Sequence, residues 1–329
     1  MKIAEGAATG VGSLPGTDIR EALRTVLGEL PDLPHLPELP DRGPGADLLG
    51  RCAGLLVDLP VDLYVGRWRL APHPGRDARR TADLWERDLD ALTDEAAGYS
   101  GTLKVQCAGP WTLVAGIDLP VGGRVLRDPG AVRELTTSLG EGLARHVAEV
   151  GRRVPGAQVL LQLDEPSLPA VLAGQVPTES GFSVLPTVEA DRARQALHQV
   201  IEAAGVPVVV HCCAPDAPVS LLRDAGAAGL ALDLDLVKDL DPLGAAIEAG
   251  GYLFAGAVPT SGGPPPASRP AADRVLDLWR RLGFPLPRLA EQVVVTPACG
   301  LAGASPEFAR AALAACRDAG RRLLDDARS

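Results

Sequence analysis

The sequence has few aromatic residues, more acidic than basic side chains, and no long uncharged apolar run. Phe, Trp and Tyr make up 3% of the 329 residues, which disfavours a protein that stacks nucleic-acid bases on aromatic rings. Asp and Glu outnumber Lys and Arg by 42 to 32, so the basic face of a nucleic-acid binder is not expected. No uncharged apolar stretch reaches the roughly 18 residues of a membrane-spanning helix. We therefore expect neither nucleic acid nor a membrane as a partner.

The N-terminus and the cysteines suggest a compartment. The N-terminal residues MKIAEGAATG show no charged region followed by an apolar one, so we expect no secretion signal and a cytoplasmic protein. Six cysteines in such a chain are expected to be reduced thiols, either in the core or as metal ligands. A hydrophobic content of 46% is enough for a sizeable core.

Short apolar runs alternate with longer amphipathic stretches, which is typical of β–α units around a parallel sheet. Seven apolar runs are predicted as buried strands: Ala7–Leu14, Thr102–Cys107, Gln158–Leu163, Val206–His211, Gly229–Leu234, Tyr252–Val258 and Gln292–Thr296. An eighth strand is expected near Leu33–Leu39 or near Gly54–Leu59. Helices are predicted at Thr17–Leu30, Arg80–Tyr99, Pro129–Val154, Val188–Ala204, Ala214–Ala225, Pro270–Leu282 and Pro306–Ala327.

Eight strands at this spacing favour an α/β fold of the TIM-barrel type, a single (β/α)₈ barrel over residues 1–329, rather than an open doubly wound sheet. Two Pro-rich stretches, Pro31–Pro44 and Ser261–Pro270, are interpreted as loop insertions because the β–α alternation resumes after each one. In such barrels the active site lies at the C-terminal ends of the strands. Nearly every predicted strand ends in a polar or metal-binding residue, so we expect the site there.

The strongest local motif is VVVHCCAP, in which one residue separates His211 from Cys213 at the end of a predicted strand. With that spacing both side chains can point the same way, and imidazole with thiolate suits Zn²⁺. Cys299 lies at the end of another predicted strand. Spacing alone leaves open that both cysteines are buried core residues. Asp233 is the candidate fourth ligand, with Asp235 as its competitor.

Taken together, these motifs resemble the C-terminal catalytic barrel of cobalamin-independent methionine synthase. The motifs that carry the resemblance occur in the family's order: Gly12-Ser13-Leu14-Pro15, Gly109-Pro110-Trp111-Thr112, Asp164-Glu165-Pro166, His211 with Cys213, and Pro297-Ala298-Cys299-Gly300. The resemblance implies a zinc site formed by His211, Cys213, Asp233 and Cys299. It also implies transfer of a methyl group from a methylated folate to the thiol of homocysteine, which gives methionine.

The resemblance also implies roles in substrate binding. Ser13 resembles the family's contact to the amino-acid carboxylate, and Asp164 is expected in the catalytic site as the ligand of the substrate ammonium group. Asp47 is a second candidate for an amino-group contact, and an ordinary helix Asp is the alternative. Trp111 either covers the barrel mouth and stacks on the methyl donor, or packs in the core.

Three departures from the family leave the methyl donor open. The family's metal carboxylate is Glu, where this chain has Asp233, and the full-length family carries an N-terminal barrel that this sequence does not show. Val258-Pro259-Thr260-Ser261 stands where the family has a turn with an acid His. One alternative is a short barrel that takes its methyl group from methylcobalamin or a corrinoid protein. The other is a zinc- or thiol-binding relative without catalysis. Whether the chain forms a homo-oligomer is also left open.

Overall fold

The computed structural model describes residues 3–328. Its strands are β1 (Val61–Tyr64), β2 (Arg67–Leu70), β3 (Gly101–Ala108), β4 (Ala157–Asp164), β5 (Val208–Cys212), β6 (Gly229–Asp233), β7 (Tyr252–Val258) and β8 (Val293–Pro297). The six strands from β3 to β8 form one parallel sheet in sequential order, and β1 pairs with β2 in an antiparallel hairpin. The six strands predicted from Thr102 onward are confirmed, with ends within two residues. The hairpin was not predicted.

The two predicted N-terminal strands are extended segments rather than continuous strands. Isolated parallel bridges link them to each other and to the sheet: Ala8 with Val295, Ser13 with Glu38, and His35 with Lys104. The second segment therefore lies near Leu33–Leu39, because Gly54–Leu59 forms turns and bends. Glycine weakens a strand and proline donates no ladder hydrogen bond, so the glycines and prolines of these two segments favour single bridges over continuous pairing. The sheet of the described chain has six regular strands instead of the expected eight.

Helices pack outside the sheet, as expected for an α/β fold. In residues 3–328 they are α1 (Ile19–Glu29), α2 (Leu48–Ala53), α3 (Arg76–Glu95), α4 (Pro110–Gly116), α5 (Pro129–Arg153), α6 (Leu168–Leu172), α7 (Ala190–Ala204), α8 (Val219–Asp224), α9 (Asp241–Glu248), α10 (Ser268–Leu282), α11 (Leu286–Gln292) and α12 (Pro306–Arg328). The seven predicted helices are confirmed, although α8 begins five residues later than predicted. The other five were missed because they span only one or two turns, too few for a helical period. Among the helices described, none is long and apolar enough to cross a membrane.

Local sequence explains where the long helices begin. The Asp18 side chain accepts hydrogen bonds from the backbone N–H groups of Arg20 and Glu21, and so caps α1. Asp128 caps α5 in the same way, ahead of Pro129 in the first turn. The Pro-rich stretch 31–44 is a loop that contains a short 3₁₀ turn, and the second one remains a loop until α10 begins.

A small cluster of inward-facing side chains lies on the interior face of the sheet, toward the N-terminal ends of its strands. Its buried members are Ile3, Ala7, Leu33, Leu160, Val209, Ala231, Phe254 and Val294. The larger hydrophobic core lies between the strands and the helices. The interior cluster fixes which side chains of each strand point inward, and that alternation positions the candidate site.

Candidate active site

The alternation of side chains along β4 and β5 brings an acid and an imidazole together. On β4, Leu160 belongs to the interior cluster, so Gln162 and Asp164 face the same side two and four residues later. On β5, Val209 belongs to that cluster and His211 follows it on the same face. Asp164 and His211 are direct partners in the parallel register of the two strands. Both side chains therefore lie at the C-terminal end of the sheet interior.

Three potential metal ligands converge at this end. The ligand atoms of His211, Cys213 and Cys299 lie within 4.8 Å of one another, and the two sulfur atoms are 2.8 Å apart. His211 is buried, and its Nδ1 lies 3.2 Å from the backbone oxygen of Ala231. That contact assigns the ring proton to Nδ1, which leaves Nε2 as a lone-pair donor. Nε2 is buried without a hydrogen-bond partner among the described residues.

This donor set fits a zinc ion. An unpartnered buried nitrogen beside two thiols offers the mixed nitrogen and sulfur ligands that Zn²⁺ prefers over hard cations. The hydrogen bond with Cys213 lowers the pKa of Cys299, and the neighbouring His211 acts in the same direction. The same hydrogen bond raises the pKa of Cys213, and burial adds to that rise. Thiolate is the form of cysteine that binds metals, and the lowered pKa of Cys299 favours that form.

Asp233 ends β6 but is not part of this group of three among the described residues. One of its carboxylate oxygens accepts a hydrogen bond from the backbone N–H of Asp235 at 3.0 Å, and burial raises its pKa. The Asp235 side chain is 63% exposed and pairs with Arg274 at 3.1 Å. The assignment of Asp233 as fourth ligand therefore stays a prediction.

A cavity of about 250 Å³ opens beside the three ligands. Its polar lining residues are Ser13, Glu38, Asp164, His211, Cys213 and Cys299. Asp164 is 6% exposed, and its Oδ1 accepts a hydrogen bond from Nε2 of Gln162 at 2.7 Å. Burial raises the pKa of Asp164, while His211 and then Lys104 oppose that rise. The cavity thus joins a buried carboxylate to the candidate metal ligands.

Glu38 is a functional candidate that the sequence predictions missed. It is 6% exposed and lines the same cavity, and its Oε1 has no hydrogen-bond partner within the described chain. The Nε atom of Arg51 lies 3.8 Å from that oxygen. Burial raises the pKa of Glu38 to about 7 against the opposing charge of Arg51. A charged residue near the end of the apolar stretch LPHLPELP was the available signal, because polar residues at strand ends mark the site of such folds.

Asp47 has a structural role at the start of α2. Its Oδ1 accepts hydrogen bonds from the backbone N–H of Gly50 at 2.9 Å and from Nε1 of Trp68 at 3.0 Å. Its Oδ2 accepts one from the backbone N–H of Gly45 at 3.1 Å. Both oxygens are thus engaged by neighbouring groups, and the second carboxylate that lines the cavity is Glu38.

Trp111 packs in the core. Its side chain is 1% exposed, and its Nε1 donates to the backbone oxygen of Ala193 at 3.0 Å. The ring therefore has no exposed face on which a methyl donor could stack, and core packing, the alternative, describes its position. Glu165 braces this turn by accepting hydrogen bonds from the backbone N–H groups of Trp111 and Thr112.

Ser13 lies at the cavity, as expected for a residue at the first turn. Its backbone oxygen accepts a hydrogen bond from the N–H of Leu301 at 2.9 Å. A Cβ atom on Gly300 would lie 2.1 Å from Oγ of Ser13, so a side chain at position 300 would displace that hydroxyl group. The turn after β8 that carries Cys299 is thereby held against the turn that carries Ser13.

Comparisons with known proteins identify a similar fold and the family of the chain. No curated protein matches the chain. A B12-independent methionine synthase from Shewanella sp. W3-18-1, solved in complex with selenomethionine, has a similar fold (TM-score 0.67, 12% identity, 98% of this chain and 99% of that chain covered). A methyltransferase from Methanosarcina mazei is also similar (TM-score 0.57, 15% identity, 96% and 94% covered). The model of the cobalamin-independent synthase catalytic domain matches residues 7–322, so the chain belongs to that family of methyltransferases.

Proposed function

We propose that this protein is a zinc-dependent methyltransferase that methylates the thiol of homocysteine and so forms methionine. The observation that carries the proposal is the convergence of His211, Cys213 and Cys299 on one cavity. The carboxylate of Asp164 lines the same cavity. Ligands for a thiol-activating metal and a ligand for an ammonium group are what an amino-acid thiol needs. Membership of the family supports the same activity.

His211, Cys213 and Cys299 would hold the zinc ion, with Asp233 as the proposed fourth ligand. Bound there, zinc would supply a lowered pKa for the substrate thiol, which near 8.5 is otherwise mostly protonated at neutral pH. The hydrogen bond from His211 Nδ1 to Ala231 fixes the ring so that Nε2 faces the ligand group.

Asp164 and Glu38 would bind the ammonium group of homocysteine, and Ser13 would bind its carboxylate. Two acids on one side of a cavity of about 250 Å³ suit a small zwitterion with one positive group. Because both acids are buried, an ammonium ion that pairs with them offsets part of their desolvation cost. The selenomethionine bound to the Shewanella protein supports an amino acid of this shape as ligand.

A closed barrel of the (β/α)₈ type, formed by the whole chain as one domain, is part of the proposal. Its support is a set of backbone hydrogen bonds that continue around both edges of the sheet: Thr9 to Val295, Leu14 to Glu38, and Leu36 to Lys104. Closure places the ends of all eight segments around one mouth, which is where the ligands described above lie.

A methylated folate is the proposed methyl donor, and methylcobalamin or a corrinoid protein is the second candidate. The stretch Val258–Ser261 favours the second, because it contains no side chain that could protonate a departing folate nitrogen. A cobalt–methyl bond needs no proton on its leaving group. Family membership favours the folate.

The deciding experiment is a methyl-transfer assay of the zinc-loaded protein with homocysteine and each donor in parallel. We expect methionine from at least one of the two donors. Methionine from methylfolate alone would rule out the corrinoid donor, and methionine from methylcobalamin alone would rule out the folate. A protein that binds zinc and homocysteine but forms no methionine with either donor would be a thiol-binding relative without catalysis.

A further inference from the structure

Lys104 is an unusual residue for this chain. The sequence has three lysines and 29 arginines, and one of the three lysines is fully buried on β3. A buried ammonium group is costly unless each of its N–H bonds finds an acceptor. Lysine offers three donors from a single point, whereas the planar fork of arginine would need a wider space. A buried lysine at this position therefore requires three hydrogen-bond acceptors close to its Nζ atom.

Such a set surrounds the ammonium group. Nζ of Lys104 donates to the backbone oxygen of Val11 at 2.8 Å and to Oε1 of Gln162 at 2.8 Å. A third, longer contact of 3.3 Å reaches Oε1 of Gln106. All three donors are used, and no substrate atom is needed to satisfy them. Lys104 is therefore fully bonded within the interior of the fold, and it is not one of the residues that line the cavity.

Gln162 connects Lys104 to the cavity. Because Lys104 occupies the amide oxygen of Gln162, the NH₂ group must face the other way, and the amide cannot be flipped. That NH₂ group donates to Oδ1 of Asp164 at 2.7 Å and to the oxygen of Val11 at 2.8 Å. The rotamer of Asp164 is thus set by a chain of two hydrogen bonds that begins at Lys104.

Lys104 also supplies the positive charge on the interior side of both cavity acids. Burial lowers the pKa of Lys104 to about 8, and Asp164 and Glu38 oppose that fall, so the group is mostly charged at neutral pH. Burial raises the pKa of Glu38, and Arg51 and Lys104 both act against that rise. His35 lies beside Lys104 in the bridge to β3, and burial, followed by the charge of Lys104, lowers the pKa of that ring.

We propose that Lys104 is a positioning residue: through Gln162 it orients the carboxylate of Asp164 for the substrate ammonium group. This role rests on the proposed function, since it concerns the amino group of homocysteine. Lys104 itself does not contact the substrate. Its contribution should therefore depend on whether the ligand carries an ammonium group.

The test compares two thiols on the zinc-loaded protein and its Lys104→Met variant. Homocysteine carries the ammonium group, and 4-mercaptobutyrate has the same thiol, chain length and carboxylate without it. We expect Lys104→Met to weaken homocysteine binding by about ten- to a hundredfold, the range for a hydrogen bond to a charged group. Binding of 4-mercaptobutyrate and the zinc content should stay unchanged. Equal weakening of both thiols would show a merely structural role, and no weakening of either would also overturn the proposal.

Two further variants make the result independent of stability. Gln162→Met keeps Lys104 but breaks the link to Asp164, and it should reproduce the selective loss; it also serves if Lys104→Met does not fold. Phe254→Leu makes a gap in the interior cluster without touching the polar chain, and it should leave the ratio of the two affinities at its parental value. A ratio that changes equally in Phe254→Leu would contradict the positioning role. A parent protein that binds no homocysteine would overturn the proposed function itself. A parent and a Lys104 variant that bind homocysteine equally well would overturn only the positioning role.

Discussion

The sulfur atoms of Cys213 and Cys299 lie 2.8 Å apart, although 86 residues separate them in the chain. Cys213 follows β5 and Cys299 follows β8, and β6 and β7 lie between those strands in the sheet. Three steps between neighbouring strands would span roughly 14 Å in a flat sheet. The two sulfurs can meet only because the sheet curves strongly, so that the C-terminal ends of its strands face one another. Curvature of the sheet therefore creates the candidate metal site.

Removal of Cys299 should abolish stoichiometric metal binding. The parent protein should contain about one zinc per chain, because three donors of the preferred types already converge. Cys299→Ala should weaken zinc binding by more than the roughly 10- to 100-fold that loss of an outer hydrogen-bond partner of a ligand costs. Elemental analysis and competition with a chelator measure this loss. Cys316→Ala is the matched control, since Cys316 is buried in α12, and it should keep its zinc. Full zinc in Cys299→Ala would remove that residue from the site.

The carboxylate that completes the site can be identified with a second pair of variants. Asp233→Ala should lower zinc affinity, because Asp233 ends β6 and keeps one carboxylate oxygen free of the hydrogen bond to Asp235. Asp235→Ala should bind zinc as the parent does, since its side chain is exposed and paired with Arg274. Chelator competition on both variants gives the answer. The reverse pattern would assign the ligand to Asp235, and two unchanged affinities would leave the fourth position to water or substrate.

The regular strands and most of the converging ligands could be predicted from the sequence. Strands buried on both faces are continuous apolar runs, so β3 to β8 were recognisable, and the residue that ends each run marks the site edge. His211 and Cys213 were found because a spacing of two places them on one face. Their contact with Cys299 follows from the fold and not from local spacing.

The N-terminal third was predicted less well, for physical reasons. Glycines and prolines break the pairing of the first two segments into single bridges, so their register could not be read from an apolar period. Glu38 was missed in that irregular stretch, and Asp47 was chosen instead, since a helix cap and a ligand acid look alike in sequence. Trp111 was ambiguous because a turn residue can face either the mouth or the core. Only its contact with Ala193 decides that it faces the core.

Acid should destabilise the protein through His35 and His146, because burial lowers the pKa of both side chains. His146 is 5% exposed and packs against Trp85, and burial, helped by Arg51, lowers its pKa to about 3. In the unfolded chain this side chain has a pKa near 6.5, so above that pH neither state binds the proton and the full stability is present. Between pH 6.5 and pH 3 only the unfolded chain binds the proton, and the folded state therefore loses stability as the pH falls. Each such group should lower the free energy of unfolding by about 1.4 kcal/mol per pH unit in this window. Urea unfolding between pH 5 and pH 7 measures the slope.

In a His146→Phe variant the free energy of unfolding should depend less steeply on pH, by the contribution of one proton. The substitution removes one group that must stay neutral in the folded state. Phenylalanine keeps the packing against Trp85, so the comparison isolates the titration. His73→Gln is the matched control, since His73 lies exposed in a loop, and its slope should equal that of the parent. An unchanged slope in His146→Phe would mean that His146 binds its proton equally well in the folded and unfolded chain.

Three amide substitutions can distinguish the two acids proposed to bind the substrate ammonium group from Asp47, which caps a helix. Asp164→Asn and Glu38→Gln keep the shape of two buried side chains on the cavity and remove their charge. Each should weaken homocysteine binding by about ten- to a hundredfold while the zinc content stays at the parental level, because a charged hydrogen bond is lost and no ligand of the metal is touched. Titration calorimetry with zinc analysis measures both quantities.

Asp47→Asn distinguishes the two candidates for the second amino-group contact. Both oxygens of Asp47 accept hydrogen bonds from Gly45, Gly50 and Trp68, so its substitution should lower stability and leave homocysteine affinity unchanged. A selective loss of affinity in Asp47→Asn, together with parental binding in Glu38→Gln, would return the contact to Asp47. Parental binding in Asp164→Asn would remove the central acid from the site, because its oxygens would then serve only the hydrogen bond to Gln162. Loss of zinc in Asp164→Asn would instead show that this acid supports His211, its partner in the strand register, and not the substrate.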